Sequence, residues 1–336
     1  MQVPLVGGLA TVVAAAAIAG CFGPDAREGL RCTSSGDCPP GQDCFPVAGG
    51  PEPGVCSSAP PIDAGSADAG APAFGSPEPV ELTCSAAACL SPRDPSLTDD
   101  RRQVVFTGQS VNAAGDYDVY LASRPAAGDP WLTAAPAGAI DSLIVEEGSS
   151  VSGNGLALYF SRDDQNVAGP PYGDLLLSER LATTDPFDSA APVTGVVNTA
   201  NGDERSAVRT ADGAHLVFTR ALDIDIGDHD VYLAADGGGQ LDTVERIPGV
   251  SMAGADERSV ALVEGLRSLF VTRNATIVEA RWSGDDIASA EVVAVHDELT
   301  VAGAIVISGL WLAPDGSEIW FGACDQAGCV LYRAVR

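Results

Sequence analysis

Four carboxylates fall within eight residues in Asp223-Ile224-Asp225-Ile226-Gly227-Asp228-His229-Asp230. Such a density of hard oxygen donors suits a calcium ion. The stretch fits no EF-hand loop, because the glycine and the closing glutamate are out of place. Asp223, Asp225, Asp228 and Asp230 are therefore kept as calcium candidates beside a first expectation of a solvated structural hairpin. Gly115-Asp116-Tyr117-Asp118 and Gly173-Asp174 match the same pattern, as a repeated hairpin would. No other metal or cofactor is expected.

A second acidic set recurs along the chain as Glu146-Glu147, Asp203-Glu204-Arg205 and Asp256-Glu257-Arg258. Paired carboxylates can divide acid and base work in glycoside hydrolysis. Recurrence argues the other way. Groups that return at matching positions suit a structural task such as salt bridges between neighbouring repeats, whereas catalytic groups break a repeat. The three histidines, His215, His229 and His296, form no metal-binding pair. Nucleophile elbows, phosphate loops and dinucleotide fingerprints are missing where their context requires them. Trp131, Trp282, Trp311 and Trp320 can stack on sugars, but three of them lie in strand-like runs that point to a core.

The cysteines carry the clearest chemistry. An uncharged apolar run from Leu5 to Ile18 leads into Ala19-Gly20-Cys21. The run is too short for a spanning helix and reads as the apolar region of a signal peptide. Small residues directly before Cys21 resemble the bacterial lipobox. That resemblance implies cleavage before Cys21, acylation of its thiol and amine, and anchoring by two or three acyl chains. No Lys or Arg precedes the apolar run, which departs from the usual pattern. Eight cysteines remain, namely Cys32, Cys38, Cys44, Cys56, Cys84, Cys89, Cys324 and Cys329. An even number in an exported chain reads as disulfides. Cys324 and Cys329 flank a turn and can bridge a hairpin, and Cys84 and Cys89 share that spacing. Cys32, Cys38, Cys44 and Cys56 allow three pairings, with a zinc knuckle as the rival.

Segmentation follows. Residues 1–20 form the signal peptide, 21–56 a lipidated Cys-rich segment, and 57–73 a spacer of Ala, Gly, Pro, Ser and Asp with one large apolar side chain. The folded body spans 74–336. A net charge of −28 repels nucleic acid and anionic headgroups, so neither is an expected partner. The abundance of Gly (38) and Pro (23) fits many short strands joined by turns.

The body repeats. An apolar-aromatic pair returns at Val105-Phe106, Tyr159-Phe160, Val217-Phe218, Leu269-Phe270 and Trp320-Phe321, with 54, 58, 52 and 51 residues between successive Phe positions. A turn precedes each pair: Asp99-Asp100-Arg101, Gly153-Asn154-Gly155, Ala211-Asp212-Gly213, Glu264-Gly265 and Pro314-Asp315-Gly316. Strand-like runs lie before and after. Three strands and a variable fourth about every fifty residues make one propeller blade. Leu312-Ala313-Pro314-Asp315-Gly316-Ser317-Glu318-Ile319-Trp320-Phe321 and Thr210–Phe218 resemble the WD40-like repeat of TolB-type propellers. That resemblance covers all five repeats and implies the fold; five units depart from the six blades of TolB, and repeat four lacks the Asp before its third strand. The fold expected is thus all-β, a single propeller of five four-stranded blades, with a β-sandwich array as the alternative. Phe74-Gly75-Ser76-Pro77-Glu78-Pro79-Val80 is similar to Phe187-Asp188-Ser189-Ala190-Ala191-Pro192-Val193, where the outer strand of blade two belongs. The amino-terminal copy should complete the last blade and close the ring.

The first functional expectation is a monomeric, non-enzymatic envelope lipoprotein, exported and anchored at the outer membrane on its periplasmic or surface face. Its propeller would bind an envelope protein or a glycan. The second is a carbohydrate-active propeller enzyme, a glycosidase or lyase, with unrepeated carboxylates in the central channel.

Overall fold

A computed structural model describes residues 31–32, 43–45, 54–57, 73–84, 90–109, 117–140, 142, 144–163, 173–222, 228–238 and 240–336. Cys21, Cys38, Cys89, Asp223, Asp225 and most of the expected spacer lie outside them. The chain divides into two units, Met1–Gly65 and Ser66–Arg336.

In the first unit, β1 (Arg31–Cys32), β2 (Asp43–Phe45) and β3 (Gly54–Ser57) form a small antiparallel sheet with β3 in the middle. Its register sets Cys44 opposite Cys56 and Cys32 opposite Gly54.

The second unit is a five-bladed propeller. Its first strand in sequence is β4 (Glu78–Pro79). Blade 1 holds β5 (Leu90–Leu97), β6 (Gln103–Gln109), β7 (Tyr117–Ser123) and β8 (Ala135–Pro136). Blade 2 holds β9 (Glu146–Val151), β10 (Ala157–Asp163), β11 (Gly173–Glu179) and β12 (Ala191–Pro192). Blade 3 holds β13 (Gly202–Arg209), β14 (His215–Leu222), β15 (Asp230–Asp236) and β16 (Leu241–Arg246). Blade 4 holds β17 (Val260–Val263), β18 (Ser268–Arg273), β19 (Thr276–Arg281) and β20 (Glu291–Val295). Blade 5 holds β21 (Val306–Leu312), β22 (Glu318–Asp325) and β23 (Gly328–Val335). Its fourth strand is β4, paired antiparallel to β23 through Tyr332–Pro79 and Arg333–Glu78. The ring is therefore closed by the strand expected to close it.

Each blade is buried on both faces, so its second strand reads as an apolar run rather than an alternation. Along β14, Leu216 and Phe218 pack with Tyr159 and Leu175 of blade 2, while Val217 packs with Val260, Leu269 and Val271 of blade 4. Five hydrophobic clusters result, one at each interface between neighbouring blades. Blade 4 corrects one reading of the repeat. Phe270 faces blade 5, and Val271 occupies the position that Phe218 holds in blade 3. The aromatic of this unit comes one residue early, and on the opposite face.

The recurring turns work as expected. Asp212 accepts from the Ala214 N–H at 2.8 Å, Asn154 from Leu156 at 3.0 Å and Asp315 from Ser317 at 3.0 Å. Gly155, Gly213 and Gly316 take the positive φ that follows. Cys324 and Cys329 face each other across β22 and β23 and form a disulfide. Cys84 is also disulfide-bonded.

Candidate functional site

Four of the five innermost strands carry a bulge where they line the channel. Strand register makes Arg93, Glu147, Arg205, Arg258 and Ser308 equivalent on blades 1 to 5. The next residue supplies the bulge, and Asp94, Gly148, Ser206 and Gly309 there have positive φ. Crowding is severe at Gly309, where a Cβ would run into the Asp94 backbone.

The acids expected near the inner strands fall into two groups. Glu146, Glu204 and Glu257 are equivalent and fully buried. Each pairs with an arginine of the second strand in its own blade: Arg162 at 2.8 Å, Arg220 at 2.8 Å and Arg273 at 2.9 Å. Those arginines also donate to the Ile140, Val197 and Val250 carbonyls. These repeated pairs join two strands of one blade, not neighbouring blades as expected. Burial pushes the Glu204 and Glu257 carboxyls up to about 7, against the pull of Thr199 and Arg220 on one and Arg273 on the other.

The second group breaks the repeat. Glu147 stands where three other blades have arginine, and it pairs with both Arg93 of blade 1 and Arg205 of blade 3. Asp163 ends β10 at a position occupied by Gln109, Ala221, Asn274 and Cys324 elsewhere. Arg205 binds Asp203 through Nε at 2.9 Å and approaches Asp163 at 3.7 Å. His229 joins the network, with Nε2 3.2 Å from Asp203 and Nδ1 2.9 Å from Asp256 of the next blade. Asp256 also pairs with Arg258. An unbroken chain of charge-assisted contacts thus runs Arg93–Glu147–Arg205–Asp203–His229–Asp256–Arg258 across four blades.

Electrostatics separate the members. Burial pushes the Asp163 carboxyl up to about 6; Asp203 adds to the rise and Arg93 opposes it. Asp163 and Asp203 are both buried and held close together. They converge beside Gly173, where a Cβ would lie 2.9 Å from Asp203 Oδ1 and 3.3 Å from Asp163 Oδ1. Asp203 accepts from the Gly173 N–H at 3.1 Å. Asp163 Oδ1 and Ser161 Oγ are buried with no hydrogen-bond partner among the described residues. Burial works against a charged imidazole at His229, but its bonds to Asp203 and Asp256 outweigh that and raise its pKa. Burial and then the neighbouring Arg258 and Arg93 guanidiniums push Arg205 down to about 10.

The calcium candidates come out differently. Asp230 pairs with Arg246 at 2.7 Å, and Asp228 accepts from the Gly254 N–H at 3.3 Å, so these two carboxylates are directed to separate partners. No group of three metal-ligating side chains occurs among the described residues. Trp282, Trp311 and Trp320 are core residues, and Trp131 packs edge-on against Trp320.

Sequence reasoning missed His229 and Asp163 as members of one site. Asp163 had a readable signal: Ser161-Arg162-Asp163 departs from Thr219-Arg220-Ala221 by one acid at a buried position. His229 had none, because its partners lie 26 and 27 residues away on two blades.

No family model and no curated protein matches the chain. Solved structures do. A GH62 hydrolase in complex with xylotriose aligns with a TM-score of 0.52 at 10% identity, covering 79% of this chain and 97% of its own. The catalytic domain of Coprinopsis cinerea GH62 α-L-arabinofuranosidase gives 0.50 at 9% identity, covering 78% and 96%. The periplasmic gluconolactonase of Pseudomonas aeruginosa matches over 72% of this chain and 70% of its own, at 17% identity and a TM-score of 0.40. The likeness is one of fold.

Proposed function

We propose that the charged end of the channel hydrolyses a glycosidic bond, with Asp163 as proton donor and Asp203 as its charged partner. The observation that carries this reading is the pair itself. An unrepeated acid holds its proton toward neutral pH beside a second carboxylate bound by Arg205, His229 and the Gly173 amide. Asp163 gives its proton to the glycosidic oxygen as the C–O bond breaks. Asp203 stabilises the positive charge that develops at the anomeric carbon. Water then adds there and returns a proton to Asp163, so one bond is hydrolysed and the acid is regenerated. The glycoside-acting fold neighbours support this reading over a non-catalytic platform. So does the break in the repeat at Glu147 and Asp163.

The test is turnover of aryl glycosides and short oligosaccharides by the purified protein and by Asp163→Asn. Loss of about 100-fold or more in rate, with an unchanged circular dichroism spectrum, is expected. Turnover that survives D163N, or none on any substrate offered, overturns the reading.

The anchor belongs to the same proposal. Acylation at Cys21 would hold the propeller at the outer membrane, where polymeric glycans are within reach. Labelling with radioactive palmitate, lost in Cys21→Ser, tests it.

A further inference from the structure

A cavity also opens beside strands β10 and β13, the strands that carry Asp163 and Arg205. It lies between blades 2 and 3 and has a volume of about 300 Å³. That is at the small end of ligand-sized pockets. Its floor is Tyr159, Leu177 and Leu241, and its walls include Glu179, Asp188, Arg209 and Gln240.

Two features make this a formed site rather than a surface dip. The blades are pinned beside it by a bridge between Gly195 and Leu241, with the Val196 N–H donating to the Leu241 carbonyl at 2.9 Å. Gly195 has φ +106°, and a Cβ there would collide with the Leu241 backbone, so the approach requires glycine. Arg209 is equally fixed, donating to the Gly213 carbonyl at 3.0 and 2.8 Å and to Asp236 at 3.1 Å.

Tyr159 points to a ligand. The residue lines the cavity with only 5% of its surface exposed, so its ring is fixed in the wall and its hydroxyl is the polar group it can offer. Nearby, the Glu179 and Asp188 carboxylates make no ion pair among the described residues, and Gln240 adds a donor and an acceptor. Acceptors, donors and apolar side chains thus stand together in its lining. An alkyl chain would leave these polar groups unmet, and an anion would face two carboxylates. A neutral sugar ring, apolar on its face and hydroxylated around its edge, matches both.

We propose that this groove binds a neutral pentose or hexose unit of a glycan, as a subsite separate from the channel. The ligand class comes from the groove's own lining and does not depend on the channel being catalytic. The experiment is calorimetric titration of the full chain with xylotriose, cellotriose and mannotriose, and with putrescine as a cationic control. Binding of at least one trisaccharide is expected. It should weaken by about fivefold in Tyr159→Phe, the scale of one hydrogen bond, and further in Glu179→Gln. It should persist in D163N, whatever that change does to turnover. No trisaccharide binding, binding equal in wild type, Y159F and E179Q, or binding of putrescine alone overturns the proposal.

Discussion

The guanidinium carbon of Arg336 lies 4.2 Å from the ring centroid of Phe74, so residues 262 apart in sequence stack where the ring closes. Phe74 is buried, edge-on to Phe270 and to His296 at 6.5 and 5.6 Å. The Gly75 N–H donates to the Val335 carbonyl at 2.7 Å beside it. Phe74→Ala should therefore open the seam as well as empty part of the cluster between blades 4 and 5. A loss of about 3–5 kcal/mol is expected by urea denaturation. A loss below about 1 kcal/mol would show that the stack is incidental.

His296 gives the seam a pH dependence. It contacts Glu279 at 3.3 Å and Glu298 at 2.9 Å, with Arg281 and Arg336 also on Glu279. Burial opposes charge on the imidazole, but the two carboxylates prevail and raise its pKa above 6.5. Its stabilisation is fully present below 6.5 and is lost as pH rises through the raised value. Burial also opposes charge on Glu279, yet His296, Arg281 and Ser268 hold it at about 2, below its ordinary 4.5. That contribution is present above 4.5 and fades as pH falls toward 2. The melting temperature should peak between these limits. His296→Gln should flatten the alkaline side in part, leaving the shares carried by His229, whose pKa is also raised, and by Asp163, Glu204 and Glu257, whose raised carboxyls also lose stability as they ionise. An alkaline limb identical in H296Q would remove His296 as its source.

For the channel, the rate should fall as pH rises through about 6, because Asp163 must carry the proton it donates. Arg205→Met removes the cation that Glu147 and Asp203 share, leaving Glu147 with Arg93 and Asp203 with His229, and should cost about 1–3 kcal/mol. A folded R205M with wild-type melting would mean that the network is not held at that point.

Most of the architecture was written in local chemistry. The Asx turns, the strand of blade 5 supplied by Glu78–Pro79, and the Cys324–Cys329 staple each depend on residues a few positions apart or on a repeated pattern. Blade 4 was misread at Phe270 because an aromatic beside Val271 looks the same from either face until the Glu257–Arg273 pair is matched to Glu204–Arg220 of blade 3. The site was harder still. Glu147, Asp163, Asp203 and His229 come from two blades and four strand ends, and no spacing rule brings them together. Only the interruption of a repeat hinted at the first two.

The Cys324–Cys329 bond closes a short loop across β22 and β23. Replacing both by Ser should cost about 2 kcal/mol, the loop-closure scale for so few residues. Denaturation with and without reductant should then give superimposable curves for the double variant if Cys84's bond contributes little. A large residual reductant effect would assign the stability to Cys84 instead.

Pairing β4 with β23 also sets an order of events. The first strand of the propeller to leave the ribosome has no partner until the final one has followed it, some 250 residues later. Until that moment four interfaces between blades can form but the fifth cannot, and the growing chain stays an open arc. Cooperativity of the whole ring is thus postponed until β23 has been made, and a product stopped short of β23 would keep two bare sheet edges.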